Sequence, residues 1–403
     1  MTRSTWRSQQ ATVSDVTVGA AVRVPAECCR IITEHLDRMV CVPFLVHLPE
    51  RDRLLMLVSD GAPSRPMLMS SDDHGERWSD PRPMLPPDPE ARNLLGLGLT
   101  HLGGRRLAAS ITVFPCSTDG RYRVFSDDGG ATWSAPVPIP RTSAGEVWNP
   151  WDRWLVDRVA AGDTIRVAET GSTSTHDAPH GGHSRAFVRF STDGGVTWSD
   201  ETRPAAWEGA NEVHLDRAAD GTLVAACRLN PPEAYWNEID HYEGLGVSRS
   251  RDDGRTWSEI EVLHPWGRHH PSMVVLPDDR IVMSYVVRKG YPDTADGYPQ
   301  FGIEAVISRD HGRTWDLQRR HVLAQWRGNT CGEDPELERQ FRATWPRWWA
   351  SSQATSTVLL PDGETLLTAF GTGYRSRPDS DGACSPRDIG LVTWCADGER
   401  SPP

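Results

Sequence analysis

The chain of 403 residues lacks several features that would assign it to a functional class at once. It has one lysine, Lys289, among 43 basic residues, and a formal net charge of −12 with acidic and basic residues interspersed. Without a basic run, we expect no binding to nucleic acid or to an anionic membrane. The sequence has no apolar run long enough to span a membrane and no apolar segment of a secretory signal near its start. We therefore expect a cytoplasmic protein.

The eight cysteines show neither the spacing of a metal site nor that of a redox motif. Only Cys28 and Cys29 lie close together, and they are adjacent in the chain. Because metal ligands and redox pairs need characteristic intervals, this pattern predicts free thiols. We expect no bound metal and no cofactor, and the sequence leaves the oligomeric state open.

One eight-residue pattern, Ser-x-Asp-x-Gly-x-x-Trp, occurs five times at intervals of 55 to 65 residues. The copies begin at Ser71, Ser126, Ser191, Ser250 and Ser308. A recurring unit of this length indicates a repeat architecture. Asp and Ser side chains bind nearby backbone amides, glycine supplies a positive φ, and tryptophan packs its ring. We interpret each copy, called a box below, as a structural turn that closes one repeated sheet.

Short runs of β-branched residues and turn residues surround each box and predict an all-β, six-bladed β-propeller that forms a single domain over 1–403. Five blades contain a box and the sixth has none. The predicted blades span 39–80, 93–138, 148–200, 211–263, 270–325 and 353–395. We expect an N-terminal strand within 12–24 to supply the fourth strand of the sixth blade, which leaves no open edge. Residues 333–349 are predicted to form a helical insertion, because Asp334 can cap a helix and Pro335 suits its first position.

Five boxes in a six-bladed pattern resemble the sialidase (neuraminidase) superfamily, and the resemblance covers nearly the whole chain. It implies that the boxes lie opposite the active site, that three arginines bind a substrate carboxylate, and that a tyrosine backed by a glutamate is the nucleophile. Glu212 and Arg228 match that glutamate and the second arginine across one hairpin, and Arg288 matches the third arginine. The chain departs from the family at the first arginine, where it has Cys41, and at the start of blade six, where no tyrosine stands.

Polar residues at the predicted mouth of the propeller are more numerous than packing requires, and buried polar groups cost free energy unless they are satisfied. They therefore point to a ligand site. The candidate catalytic residues are Glu212, Asp60, His214, His270 and Tyr374. The candidate substrate-binding residues are Arg38, Asn149, Asp152, Arg228, His269, Arg288, Gln353 and Arg375. The structural alternative for Asp60, Asp152, Glu169 and Glu212 is ion pairing with Arg38, Arg153, Arg166 and Arg228.

These residues leave three functions open. The first is an exo-acting glycoside hydrolase on an anionic or otherwise polar sugar, which needs an acid and a second carboxylate. Its departures from the family predict that it is not an efficient sialidase. The second is a polysaccharide or oligosaccharide lyase that uses histidine and tyrosine for acid–base chemistry. The third is a propeller that binds glycans without catalysis. All three have a carbohydrate as the partner.

Overall fold

The computed structural model describes residues 21–25, 28–114, 120–158, 165–173, 184–230, 243–289, 300–327, 353–373 and 386–397. These ranges contain strands, turns and short 3-10 helices, and no α-helix. The 3-10 helices span Glu34–Leu36, Pro49–Arg51, Ala205–Trp207 and Leu317–Arg319. The helix predicted for 333–349 lies outside the described residues. Within them, no helix has the length and apolar character needed to cross a bilayer.

The strands form six sheets, the blades of a six-bladed β-propeller, and this confirms the predicted fold class. Two short strands precede the first blade, β1 (Val22–Arg23) and β2 (Cys29–Ile31). Blade one contains β3 (Val40–Leu48), β4 (Arg53–Asp60), β5 (Arg65–Ser71) and β6 (Arg82–Pro83). Blade two contains β7 (Asn93–Gly103), β8 (Arg106–Phe114), β9 (Arg121–Ser126) and β10 (Val137–Pro138). Blade three contains β11 (Asn149–Pro150), β12 (Leu155–Arg158), β13 (Ile165–Ser172) and β14 (Ala186–Ser191).

The remaining blades continue the same order along the chain. Blade four contains β15 (Ala210–Arg217), β16 (Leu223–Leu229), β17 (Gly244–Ser250) and β18 (Glu261–His264). Blade five contains β19 (Arg268–Val275), β20 (Ile281–Lys289), β21 (Gln300–Ser308) and β22 (His321–Arg327). Blade six contains β23 (Gln353–Leu359), β24 (Thr365–Gly371) and β25 (Ile389–Cys395). By their contacts the residues divide into two compact units, one of 44–230 with 246–261 and one of 1–43, 231–245 and 262–403.

The N-terminal segment supplies the fourth strand of blade six, as predicted, but with different residues. Strand β2 pairs antiparallel with β25, so that Cys29 lies opposite Val392. The Thr33 hydroxyl anchors this segment, since it donates to Asp388 Oδ1 at 3.1 Å and accepts from the Ile389 amide at 3.0 Å. Strand β1, at the end of the predicted 12–24 segment, pairs instead with β22 of blade five, in parallel. Residues 12–20 lie outside the described residues.

The five boxes are turns that follow the third strand of blades one to five. In blade three this strand is β14, because β11 and β12 together form the interrupted inner strand. In each, the glycine amide donates to the serine hydroxyl at 2.8 Å. The Trp198 indole donates to the Gly195 carbonyl at 3.0 Å, and the indoles of Trp78 and Trp257 make the same contact in their boxes. These bonds satisfy polar groups within the turn, which explains why the same residue types recur.

Strand register places each box at the end of its blade opposite the candidate polar residues. In blade one, Leu54 pairs with Ser71 of the box while Asp60 pairs with Arg65 at the other end of β4. In blade three, Ser191 lies opposite Val167 at one end of β13, and Asn149 lies opposite Ser172 at the other. We call the end that carries Asp60 and Asn149 the mouth end.

Candidate functional site

The inner strands share a backbone irregularity near the mouth end. The pairing of the inner strand shifts register between Gly96 and Gly98, between Asn211 and His214, between His269 and Ser272, and between Gln353 and Thr355. Five residues without the freedom of glycine have positive φ there: Val42 (55°), Asp152 (61°), Glu212 (45°), His270 (50°) and Ala354 (28°). Such residues cost about 1–3 kcal/mol each and persist where the surrounding structure imposes them. We call these positions the inner bulges.

In the unit of 44–230 and 246–261, direct hydrogen bonds join blades one, two and three near the mouth end. The Gly96 amide donates to Ser59 Oγ at 3.1 Å, and Ser59 precedes Asp60 at the end of β4. The Asp152 amide donates to the Leu97 carbonyl at 2.7 Å. A β-carbon on Gly98 would lie 2.0 Å from the Asp152 carbonyl oxygen, so only glycine fits this approach. The mouth ends of blades one, two and three are therefore held together by hydrogen bonds from the backbone amides of Gly96 and Asp152.

Glu212 and Arg228 form an ion pair at the inner bulge of blade four, the pair that the structural alternative expected. Strands β15 and β16 bring them together, because Asn211 lies opposite Arg228 in the hairpin. Arg228 Nη1 donates to Glu212 Oε2 at 2.6 Å. The side chains of Glu212 and Arg228 are 19% and 10% exposed, so the pair remains partly open to solvent. Both groups can thus touch a ligand.

His214 lies two residues beyond Glu212 and is wholly buried. Its Nδ1 hydrogen-bonds the Asp152 carboxylate, and its Nε2 lies 3.9 Å from Asp216 Oδ2. Burial opposes protonation of His214, but the charge of Asp152 outweighs this and raises the pKa of His214 above its ordinary value. Arg153 donates to Asp216 at 2.6 Å, and although burial opposes ionisation of Asp216, Arg153 and His214 lower its pKa. This cluster fixes blade three against blade four from inside.

Two other candidates of this unit are held by neighbouring side chains. Asn149 accepts from Arg121 Nε at 2.8 Å and donates to the Ser172 carbonyl at 2.9 Å. The structural alternative expected Glu169 to pair with Arg166, and the structure gives Glu169 other partners. Its carboxylate accepts from Arg189 Nε at 2.6 Å and from Arg123, and all three side chains are buried. Arg166 instead pairs with acidic residues at the box end of blades three and four, Asp157 and Asp253.

The other unit holds the remaining described candidates. His269 and His270 follow Arg268 at the start of β19, are 0% and 7% exposed, and have ring centroids 4.4 Å apart. Arg288, on β20, is 2% exposed, and its amide donates to the Gly267 carbonyl. Arg38 is exposed just before β3, and Gln353 begins β23. Tyr374 and Arg375 lie outside the described residues.

The patterns of the sequence did not single out Trp151, which precedes Asp152 at the inner bulge of blade three. The signal that could have found it is its position among polar residues in "NPWDRW", where the alternation of apolar and polar residues typical of a strand is interrupted.

Among the residues that the structure describes, no group of three or more His, Cys, Asp or Glu side chains is arranged to hold a metal ion.

Comparisons with known proteins agree with this architecture. Residues 106–285 match the family described as "BNR repeat-like domain", and no curated protein matches the chain. A protein of unknown function from Dyadobacter fermentans is 16% identical with a TM-score of 0.62, over 91% of this chain and 97% of that one. The Hadza microbial sialidase Hz136 is 17% identical with a TM-score of 0.56, over 89% and 66% of the two chains.

The Trypanosoma rangeli sialidase is 13% identical with a TM-score of 0.56, over 90% of this chain and 56% of that one. This chain thus spans little more than half the length of that enzyme. At such identities the likeness shows the fold alone. The chain thus combines five boxes and a match of residues 106–285 to the BNR repeat-like domain with a six-bladed β-propeller fold similar to that of sialidases.

Proposed function

We propose that the protein is an exo-acting glycoside hydrolase that acts on an anionic or otherwise polar sugar. The pair of Glu212 and Arg228 carries the proposal, because it places a partly exposed carboxylate and guanidinium 2.6 Å apart on a bulged backbone. These are the two residues that match the sialidase glutamate and second arginine. A guanidinium fork suits a substrate carboxylate or a set of hydroxyl groups.

A second carboxylate is needed to protonate the leaving oxygen or to activate water. We assign this role to Asp60, which is 4% exposed, ends β4 at the mouth end and follows Ser59, which binds the inner bulge of blade two. Asp152 fits less well. Its two oxygens already accept from His214 and from the Arg153 amide.

The burial of the histidines favours hydrolysis over elimination. A base that starts β-elimination must reach the substrate proton. His214 is 1% exposed and uses Nδ1 to bind Asp152, and His269 is 0% exposed. His270 is 7% exposed, and the Glu212 side chain, at 19%, is the most open of these groups, so the proposed reaction uses Glu212 rather than a histidine.

We propose that the sugar that this protein turns over efficiently is not sialic acid. Blade one has Cys41 at the position of the first family arginine, and blade six opens with Gln353, Ala354 and Thr355 in place of a tyrosine. Hydroxyl and amide side chains are weak nucleophiles without an adjacent base.

The cytoplasmic location expected from the sequence stays a prediction.

The test is a panel of aryl glycosides that includes an α-sialoside, a β-glucuronide, a β-galactoside and an α-arabinofuranoside. We expect turnover of at least one glycoside other than the sialoside, reduced about 100-fold or more in Glu212→Gln and Asp60→Asn. Glu146→Gln, at a loop ion pair with Arg203, is the matched control and should retain activity. No turnover of any glycoside, or an active Glu212→Gln variant, would contradict the proposal, and absorbance of an unsaturated uronate product would favour the lyase.

A further inference from the structure

Trp151 lies on the four residues, 151–154, that interrupt the inner strand of blade three between β11 and β12. Both flanking strands pair with β13, so the interruption projects from a sheet that is otherwise continuous. The next residue is Asp152, with φ of 61°. Trp148 and Trp154 on either side are 1% and 3% exposed, whereas Trp151 is only partly buried. Trp151 is therefore partly open to solvent, unlike the two indoles beside it.

The ring of Trp151 reaches Phe44 on β3 of blade one. Their ring centroids are 5.7 Å apart and the planes meet at 78°, an edge-to-face contact. Blade two lies between these blades in chain order, and its inner strand has glycine at 96 and 98. Because residue 98 has no side chain, blade three approaches so closely that its carbonyl occupies the space of a β-carbon. The small residues of blade two thus allow an indole of blade three to contact blade one.

We propose that Trp151 is an aromatic platform on which the apolar face of a sugar ring stacks. Sugar rings have C–H groups on their faces and hydroxyl groups at their edges, so a site for them combines an aromatic surface with a few polar groups. The polar group that is partly open to solvent is Glu212, and it is linked to this position because Asp152 adjoins Trp151 in the chain and binds His214, two residues from Glu212. The contact with Phe44 holds the indole in one orientation before the sugar arrives, which lowers the entropy cost of binding.

This inference rests on the proposed function only for the class of ligand, a carbohydrate, and requires no catalysis. Its test is ¹⁹F NMR of protein labelled with 5-fluorotryptophan, in which the signal missing from Trp151→Phe identifies Trp151. The probes are the methyl glycosides of N-acetylneuraminic acid, glucuronic acid, galactose and arabinofuranose. We expect one probe to shift the Trp151 signal in a saturable way while the signal of Trp78, a box residue, stays in place.

The variants then separate stacking from a merely structural role. Trp151→Ala should weaken binding of that probe about tenfold, the upper range of an aromatic contact, and Trp151→Phe should retain most of it. Trp78→Phe is the control and should bind the probe as the wild type does. Unchanged affinity in a folded Trp151→Ala variant, or a Trp151 signal that no probe moves, would overturn the platform. A shifted signal in a protein that hydrolyses no glycoside would support the platform and reject the hydrolase.

Discussion

Glu169 is a carboxylate whose removal should damage the fold and leave the chemistry intact. It lies on β13 between Arg123 and Arg189, and the three side chains are 1%, 4% and 3% exposed. Replacing it with glutamine keeps the volume but leaves two buried guanidinium groups without their shared counter-charge. Breaking a buried ion pair by removing one partner costs about 3–5 kcal/mol. Arg189 keeps its stacking on Trp148, 4.0 Å from the ring centre, so we expect the lower part of that range.

The assay is urea unfolding of Glu169→Gln and wild type, followed by tryptophan fluorescence and by circular dichroism. A loss near 3 kcal/mol is a large share of the roughly 5–15 kcal/mol by which ordinary domains are stable. Asp72→Asn is the control, because Arg53 and Asp72 are 34% and 65% exposed and such surface pairs contribute about 1 kcal/mol or less. A Glu169→Gln variant of wild-type stability would refute the reasoning, and one that also lost turnover would place Glu169 in the reaction.

Three further predictions concern the box of blade three and the approach of blades two and three. Trp198→Ala should cost about 3 kcal/mol in unfolding free energy without changing turnover per folded molecule, since the ring packs 5.1 Å from another indole far from the mouth end. Burial opposes ionisation of Asp193, but hydrogen bonds from Thr197 outweigh this and lower its pKa from 3.8 to about 2. A carboxylate whose pKa is lower in the native state than in the unfolded state stabilises the fold at pH values above the unfolded pKa. This stabilisation is lost as the pH falls through the native pKa. The stability of Asp193→Asn should therefore fall less than that of wild type between about pH 4 and 2, and parallel curves in acid unfolding would contradict this. Gly98→Ala should displace the Asp152 carbonyl and lower both melting temperature and turnover, and unchanged values would show that blade three can move away.

The blades and boxes were predictable because their signals are local. The hydroxyl of Ser191, the carboxylate of Asp193 and the indole of Trp198 all find their partners within the same eight residues. Glu212 and Arg228 were also paired correctly, because a single hairpin separates them. Where the contact stays within one turn or one hairpin, spacing in the sequence is sufficient to predict it.

Contacts between blades were less predictable, since they depend on which strands become neighbours. The structural alternative paired Glu169 with Arg166, three residues away, but β14 places Arg189 opposite Glu169, and blade two supplies Arg123. The closing strand of blade six was expected within 12–24. The structure uses Cys29–Ile31, which the Thr33 hydroxyl fixes by bonds to residues more than 350 positions away.

The inner bulges show how this fold separates geometry from chemistry. The same left-handed backbone occurs at positions where the side chain is aliphatic, acidic or basic, as Val42, Glu212 and His270 illustrate. A repeated backbone with unlike side chains cannot be explained by the needs of the turn, because glycine would serve each position with less strain. The blades therefore supply a recurring way to present a side chain near the mouth end, and the residue at each bulge determines what that presentation can do. In blade four the presented group is a carboxylate beside Arg228.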